Sequence, residues 1–348
     1  HKYHETEGFG ANPNATTQWK LGRTSMGVEF RNEGVRSNVL GKPMKEPQDV
    51  PFEKEGQYLK SDNRSNISYF LEHNVLLRRF TLSVGVLANY NSALNEGIHF
   101  YPGIDASYRI GDNFRLYGSW NRALRMPTFT DLYYEGKTNK GNPDLKPEES
   151  EAFEVGLKYN TYFLRAHIAG FYRKGKNMID WVKEKPEDIW ESQNLTKVDN
   201  LGFETNLSLL PRELGNERFF IRKIELGYAF IHQDKDSEGY ISNYALDYLK
   251  HKFTAQLSHS IWKGFSATWY VRWQDRAGSY TKYENLKPAY EEPYAPYCLV
   301  DMKVNWEYQR LNLYAELNNL LNSTYYDLGN IPQPGIWFKA GFRYSFKY

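Results

Sequence analysis

"AGFRYSFKY", residues 340–348, puts Phe342, Tyr344, Phe346 and Tyr348 on one parity and Gly341, Arg343, Ser345 and Lys347 on the other. Successive side chains of a strand point to opposite faces, so the segment reads as a strand with one aromatic face and one small or charged face. "FSATWYVRWQ", residues 265–274, repeats the pattern, with Phe265, Ala267, Trp269, Val271 and Trp273 against Ser266, Thr268, Tyr270, Arg272 and Gln274. "EAFEVGLKY", residues 151–159, does so again, with Phe153, Val155, Leu157 and Tyr159 against Glu154, Gly156 and Lys158.

Extended along the chain, this alternation predicts strands near 15–22, 25–35, 64–77, 79–90, 97–110, 113–124, 149–159, 162–173, 198–209, 219–232, 247–260, 264–276, 297–307, 309–318 and 335–348. That is about fifteen strands, and no stretch carries the apolar repeat of a long helix. Short connections at Gly111–Asp112, Asn160–Thr161, Lys263–Gly264 and near Tyr308–Gln309 alternate with long ones near 36–62, 125–148, 174–197, 233–246, 277–296 and 319–334. One end of the sheet is trimmed and the other elaborated.

The chain has 348 residues, 16% aromatic and 25% charged, with a mean hydropathy of -0.71. No run of roughly 18 apolar residues exists, which excludes a membrane-spanning helix. No linker-like shift in composition divides the chain, so residues 1–348 read as one domain. The opening "HKYHETEGFG" carries no signal segment, an expectation that either a leader has been removed or that this is the later part of a longer protein. A net charge of +2 gives no reason to expect nucleic acid. Cys298, the single cysteine, shares parity with Val300, Met302, Val304 and Trp306 and reads as a small residue of the apolar face.

A soluble sandwich has no reason to place its long loops at one end only. Alternating strands of roughly ten residues, aromatics near strand ends, and short turns opposite long loops match a transmembrane β-barrel. The expected fold is therefore all-β, an antiparallel transmembrane barrel whose apolar face meets lipid and whose polar face lines a lumen. If the final strand ends on the periplasmic side, as an aromatic terminus of such barrels implies, the tight hairpins are periplasmic and the long connections extracellular.

Residues 119–159, "SWNRALRMPTFTDLYYEGKTNKGNPDLKPEESEAFEVGLKY", hold an arginine–proline stretch, then "GNPDLKPEES", then an alternating strand. This segment resembles TonB-dependent outer-membrane receptors of Gram-negative bacteria. The C-terminal strands resemble them too, through Asn318–Asn319, Tyr325–Tyr326 and Pro334–Gly335. The resemblance implies a barrel of 22 strands around a plug domain. About fifteen strands here then form its C-terminal portion, with the plug and early strands absent. It also implies TonB as a partner through that missing region, outer-membrane lipid around the barrel, and a scarce transported ligand. A surface lipoprotein is a further partner that it allows.

Within the family the stretch is most similar to vitamin B12 (cobalamin) receptors, with haem or ferric-siderophore receptors as the alternatives. Haem is lowered because no histidine occurs between His99 and His167. The rival of another class is a passive diffusion porin, which shares every alternation argument.

Aromatics in the long connections are the candidate ligand contacts, because they offer large contact area with few rotors. These are Tyr133, Tyr134, Trp181, Trp190, Tyr240, Tyr244, Tyr280, Tyr283 and Tyr290. His1 and His4 with Glu5 and Glu7, at an end read as cut or flexible, are too few and too close for a metal site. Asp234, Asp236 and Glu238 alternate without the spacing of a calcium loop. No cofactor is expected. His167 shares lumenal parity with Arg165, and no serine, histidine and acid constellation points to an enzyme. Pro143 and Pro147 with Asn142 read as a stiff turn feeding the strand at Glu151, and Glu148 and Glu149 are both expected at the first lumenal positions.

Overall fold

The computed structural model describes every residue except 95–96, 186, 216–217, 237–238, 243–247, 285–286, 330 and 347–348, and leaves out the side chains of 195–196, 236, 284, 287–288 and 328. Among the described residues fifteen strands follow one another in a continuous antiparallel meander. They are β1 (His4–Ala11, resumed at Asn14–Trp19), β2 (Gly22–Ser37), β3 (Gln57–Leu76), β4 (Phe80–Asn91) and β5 (Ile98–Ile110). After them come β6 (Phe114–Arg125), β7 (Glu148–Asn160), β8 (Leu164–Lys183), β9 (Trp190–Leu209) and β10 (Ile221–Asp236). The last are β11 (Leu249–Trp262), β12 (Phe265–Arg276), β13 (Tyr297–Tyr308), β14 (Leu311–Asn318) and β15 (Trp337–Tyr344). Among the described residues β1 pairs only with β2, and β15 only with β14.

The two faces separate as the alternation predicts. Val155 is 62% exposed on the outer face, and Leu71, Phe153 and Phe342 stand out beside it. Polar contacts gather on the inner face. The Tyr117 hydroxyl donates to Glu154 Oε1 (2.8 Å) and lies 2.7 Å from His167 Nε2, with Lys158 over the Tyr117 ring. Gly156 makes room for that ring, since a Cβ there would sit 2.4 Å from Tyr117 Cζ. The inner wall opens into a cleft of about 630 Å³ lined by Lys158, Arg165, His167, Arg272 and Asp301, so His167 faces the lumen as its parity requires.

Connections at the trimmed end are 20–21, 77–79, 111–113, 161–163, 263–264 and 309–310, together with 210–220, which contains the 3-10 turn Pro211–Leu214. All the longer excursions leave from the other end.

Three expectations need correction. The first strand is not confined to 15–22: His4 pairs with Ser37 and Ala11 with Phe30, so the N-terminal stretch read as a cut or flexible end is ladder. Glycines 8 and 10 and Pro13 hid it, although the register runs through Pro13 unshifted to Asn14↔Gly27. The connection 174–197 is mostly strand, with β8 and β9 paired as far as Val182↔Glu191. Above the lipid neither face of a strand has to be apolar, and Asp180, Trp181 and Val182 are buried in succession, so the alternation vanishes. The last strand ends at Tyr344, short of the 348 expected, and Tyr348 lies outside the described residues.

Val155 pairs with Gly118 and Gly170 near the middle of the lipid-facing band. Val155→Lys is expected to destabilise the barrel by roughly 2–4 kcal/mol, read by guanidinium unfolding in lipid vesicles. A loss below about 1 kcal/mol would mean that Val155 does not face lipid at depth.

Candidate functional site at the extracellular end

The arginine–proline and Asn-Pro-Asp segments lie at the two ends of one loop, 126–147, and a salt bridge closes its base. Arg125 ends β6 and Glu148 opens β7; the guanidinium Nε and Nη2 donate to the carboxylate at 2.5 and 2.6 Å. Such two-point pairing fixes orientation as well as distance. Glu148 Oε1 also accepts from the Ile179 amide of β8 (2.8 Å), so one buried carboxylate holds three strands. Glu149 does not join it. It follows the outward parity of Phe153 and Val155 and pairs with Arg122 at 3.6 Å, which corrects the expectation that both glutamates are lumenal.

Just inside the loop lies a single helical turn, α1 (Phe129–Tyr133). Thr128 Oγ1 accepts from the Asp131 amide (3.1 Å) and Asp131 Oδ2 accepts from the Thr128 amide (3.0 Å), a capping box that satisfies two otherwise orphaned donors. Thr128 and Asp131 carried that signal in the sequence, at the spacing of Thr-x-x-Asp.

The turn is pinned to the inner wall of β3. Arg64 Nη1 donates to the Pro127 carbonyl (2.6 Å), its Nε to Glu33 (2.9 Å), and its guanidinium lies over the Phe129 ring at 4.8 Å. The Tyr133 hydroxyl donates to Asp62 Oδ2 at 2.5 Å. Burial first, and then this acceptor, push the Tyr133 phenol well above its ordinary range. Arg64 and Asp62 were not among the sequence candidates, because their partners lie about sixty to seventy residues further along the chain.

The return limb is the proline-rich stretch. Asn142 Oδ1 accepts from the Asp144 amide (2.9 Å), an Asx turn, and the Asn142 amide donates to the Asp131 carbonyl (2.9 Å). Gly141 passes so close to α1 that a Cβ would stand 2.8 Å from the amides of Tyr133 and Tyr134.

The projecting β8–β9 hairpin supports the loop from its other side. The Asn194 side chain accepts from the Lys146 amide (2.8 Å) and donates to the Lys146 and Asn177 carbonyls (3.0 and 2.7 Å). Ser192 Oγ donates to the Asp131 carbonyl (2.6 Å). Trp181, 8% exposed, meets the Tyr134 ring edge-on at 6.3 Å, and Lys2 lies over the same tyrosine at 4.2 Å. Trp190 carries Lys183 over its ring at 4.6 Å. On the hairpin's other side Tyr240 packs against Val182 and Val198. Of the sequence candidates Tyr133, Tyr134, Trp181, Trp190 and Tyr240, all on or against this loop and hairpin, Tyr134 and Trp181 meet ring to ring, Tyr133 is tied to Asp62, Trp190 carries Lys183, and Tyr240 lies on the opposite side.

A second cluster sits on the connections after β12 and β14. Tyr280 is 5.1 Å from Tyr294 and 5.5 Å from Tyr326, with Arg276 over Tyr294 at 5.4 Å. The Tyr297 ring lies 4.7 Å from that of Tyr325, tilted by 36°, and its hydroxyl donates to Asp327 at 2.6 Å. Tyr283 and Tyr290, on the hairpin formed by Ser279–Glu284 and Lys287–Pro293, stand 55% and 50% exposed. Tyr244 lies outside the described residues. Tyr294, Tyr297, Tyr325 and Tyr326 were not among the candidates, although Tyr325–Tyr326 stood out in the sequence resemblance.

At the N-terminus, His4 Nδ1 lies 2.8 Å from Ser37 Oγ and Arg36 pairs with both Glu5 and Glu7. Asp234 faces Lys197 at 3.8 Å, and Glu238 lies outside the described residues. Among the described residues no group of three or more His, Cys, Asp or Glu side chains is arranged to hold a metal.

The model of the TonB dependent receptor-like, beta-barrel family matches residues 2–320. A vitamin B12 transporter, BtuB, from Vibrio vulnificus is 26% identical over 225 residues, which is 49% of this chain and 36% of the relative. The ferrienterobactin receptor of Escherichia coli is 22% identical over 297 residues, 77% of this chain and 38% of the relative. The chain therefore spans little more than a third of the length of these relatives. A solved variant of the ferric enterobactin receptor from Pseudomonas aeruginosa superposes with a TM-score of 0.74 at 19% identity, over 99% of this chain and 54% of that one.

Glu148→Gln keeps the shape of the clamp but removes its charge, and a loss of about 1.5–3 kcal/mol is expected. It should appear as faster hydrogen exchange in 126–147, with barrel unfolding little changed; unchanged exchange would show that the pair bears no load. Tyr133 contributes in the opposite pH direction from a carboxylate. Its phenol pKa is raised on folding, so its stabilisation is complete below the unfolded value of 10.0 and is lost as pH rises through the folded one. Exchange in the loop should therefore accelerate above pH 10 in the wild type, and Tyr133→Phe should remove that extra acceleration. With its two signature segments joined by one salt bridge on a lipid-facing antiparallel meander, and with the family model matched over residues 2–320, the chain belongs to the TonB-dependent receptor β-barrel family of the Gram-negative outer membrane.

Proposed function

We propose that this chain is the larger part of the barrel of an active-transport receptor, one that captures a bulky, scarce ligand on its extracellular loops for TonB-energised uptake. Residues 1–348 form a single barrel portion in this reading, with the plug and the TonB contact carried by a region outside it. A surface lipoprotein is a further partner in the same reading. The observation that carries it is the pair of aromatic clusters held at the mouth, one on the clamped loop 126–147 and the β8–β9 hairpin, the other around Tyr280. Rigid aromatic surfaces bind large ligands at low entropic cost, and loops borne on a stiff scaffold are where recognition residues concentrate. Catalysis is not part of the proposal, and the relatives are receptors and transporters.

Cobalamin is the first ligand of this reading. The stretch "RMPTFTDLYY" followed by "GNPDLKPEES" is most similar to cobalamin receptors, and BtuB proteins of two genera are among the relatives. A ferric siderophore is the second, favoured by the cations laid over the loop aromatics: Lys2 on Tyr134, Lys183 on Trp190 and Arg276 on Tyr294. Aromatic surfaces carrying positive charge suit an aromatic, anionic chelate. Haem is third.

The exposed Tyr283 and Tyr290 are the contacts freest to meet ligand. Tyr134, Trp181, Trp190, Tyr240 and Tyr280 shape the surface, and Tyr133 is tied to Asp62. Titration of the native protein carrying this chain with cyanocobalamin, a ferric catecholate siderophore and haem decides the ligand. Cobalamin is expected to bind most tightly, and tight siderophore binding without cobalamin binding would reverse the order. Tyr283→Ala with Tyr290→Ala is expected to weaken binding by roughly tenfold or more, in the range of hot-spot aromatics. Unchanged affinity in that double variant would remove these two residues from the site.

A further inference from the structure

At the trimmed end the inner face of β4 to β7 sets like charges against one another. Arg109 of β5 stands directly opposite Arg115 of β6, and Arg115 directly opposite Lys158 of β7. The Arg109 amide donates to the Arg79 carbonyl (2.7 Å), which puts Arg79 at the end of the same row, and Arg165 opens β8 just beyond it, opposite Asn160. Like charges directly opposed across strands destabilise a sheet. All five side chains are exposed. Lys158 lies over the Tyr117 ring at 4.7 Å, while among the described residues the guanidinium groups of Arg79, Arg109, Arg115 and Arg165 have no hydrogen bond, ion pair or ring contact.

The row faces the lumen. Lys158 shares the parity of Glu154 and Gly156, opposite to that of Phe153 and Val155, so bilayer lipid does not reach it. Four residues deeper along the strands, roughly 13 Å, the same face changes sign, for Asp105 and Glu154 lie on one row with Ser119 between them. A free anion drawn to the arginines would meet those carboxylates next, whereas a polypeptide carries both signs and satisfies both rows. In the transporter reading a plug borne by a region outside residues 1–348 fills the lumen, and the relatives leave room for one, since the chain spans 36% and 38% of their length.

We propose that Arg79, Arg109, Arg115 and Lys158 form a latch for an acidic segment of that outside region. Carboxylates of the segment pair with the row at the periplasmic mouth of the lumen, hold it against β4 to β7, and relieve the repulsion along the row. Arginines suit this task because each offers a carboxylate two parallel donors. Solvated arginines with no partner are the competing account. The inference rests on the transporter reading and adds to it the sign of the docked segment and the wall that holds it.

The test is zero-length carbodiimide coupling of amines to carboxylates in the native protein carrying this chain, in detergent micelles, with the coupled peptides located by mass spectrometry. Lys158 is expected to couple to an aspartate or glutamate upstream of His1, and Arg115→Lys to add a second such coupling from position 115. Arg109→Gln/Arg115→Gln should speed hydrogen exchange in the coupled segment by about tenfold at low salt, a difference that high salt removes. Arg109→Lys/Arg115→Lys should keep most of the protection. The proposal is overturned if Lys158 couples only within residues 1–348 or stays free, if the glutamine variant exchanges like the wild type, or if Arg310→Gln at another turn speeds exchange as much. Each of these leaves the transporter reading standing while the upstream region is a globular domain; an upstream region that runs directly into further strands overturns that reading instead.

Discussion

A strand that crosses hydrocarbon has no water to receive its amides and carbonyls, so every one must find a partner in a neighbouring strand. That constraint makes the fifteen strands a single unbroken antiparallel meander with tight turns at one end. It also frees the side chains, since with the backbone satisfied by its neighbours one parity can be apolar for lipid and the other polar for the lumen. Tyr117, Glu154 and His167 form their network on the inner wall for this reason, one residue away from an outer surface of valine and phenylalanine.

The same constraint explains what could be read from the chain alone. Between Phe153 and Tyr159 the lipid forces strict alternation, and the strands there fall where the pattern puts them. Above that band the force is gone. Lys174 to Lys183 continues as a paired strand outside the lipid, and with Asp180, Trp181 and Val182 buried in succession no alternation separates it from a loop. The N-terminal ladder was hidden differently, by glycines and a proline that a neighbouring strand tolerates because the register continues through them.

The candidate site was legible as a list of aromatics and illegible as an arrangement. Tyr134 and Trp181 meet although 47 residues separate them, and Tyr133 finds Asp62 across 71. Spacing in the sequence carries no trace of contacts made by adjacent strands leaning together. What the sequence did carry was the scaffold: the capping residues Thr128 and Asp131, the Asx turn at Asn142, and the close approach at Gly141. These short-range devices shape the loop, while the long-range pair Arg125–Glu148 closes it.

That closure has a further consequence. A segment whose two ends are joined by a bidentate ion pair is in effect a ring, and its apex leans on the start of β9 through Asn139–Lys140 and on β3 through Glu135 and Lys60, not on the two strands that carry it. Residues inserted or exchanged around Glu135 to Lys140 enlarge or repaint the ring at a cost that grows only slowly with its length, and they transmit no shift of register to β6 or β7. A barrel built this way can change what it recognises without refolding what it spans.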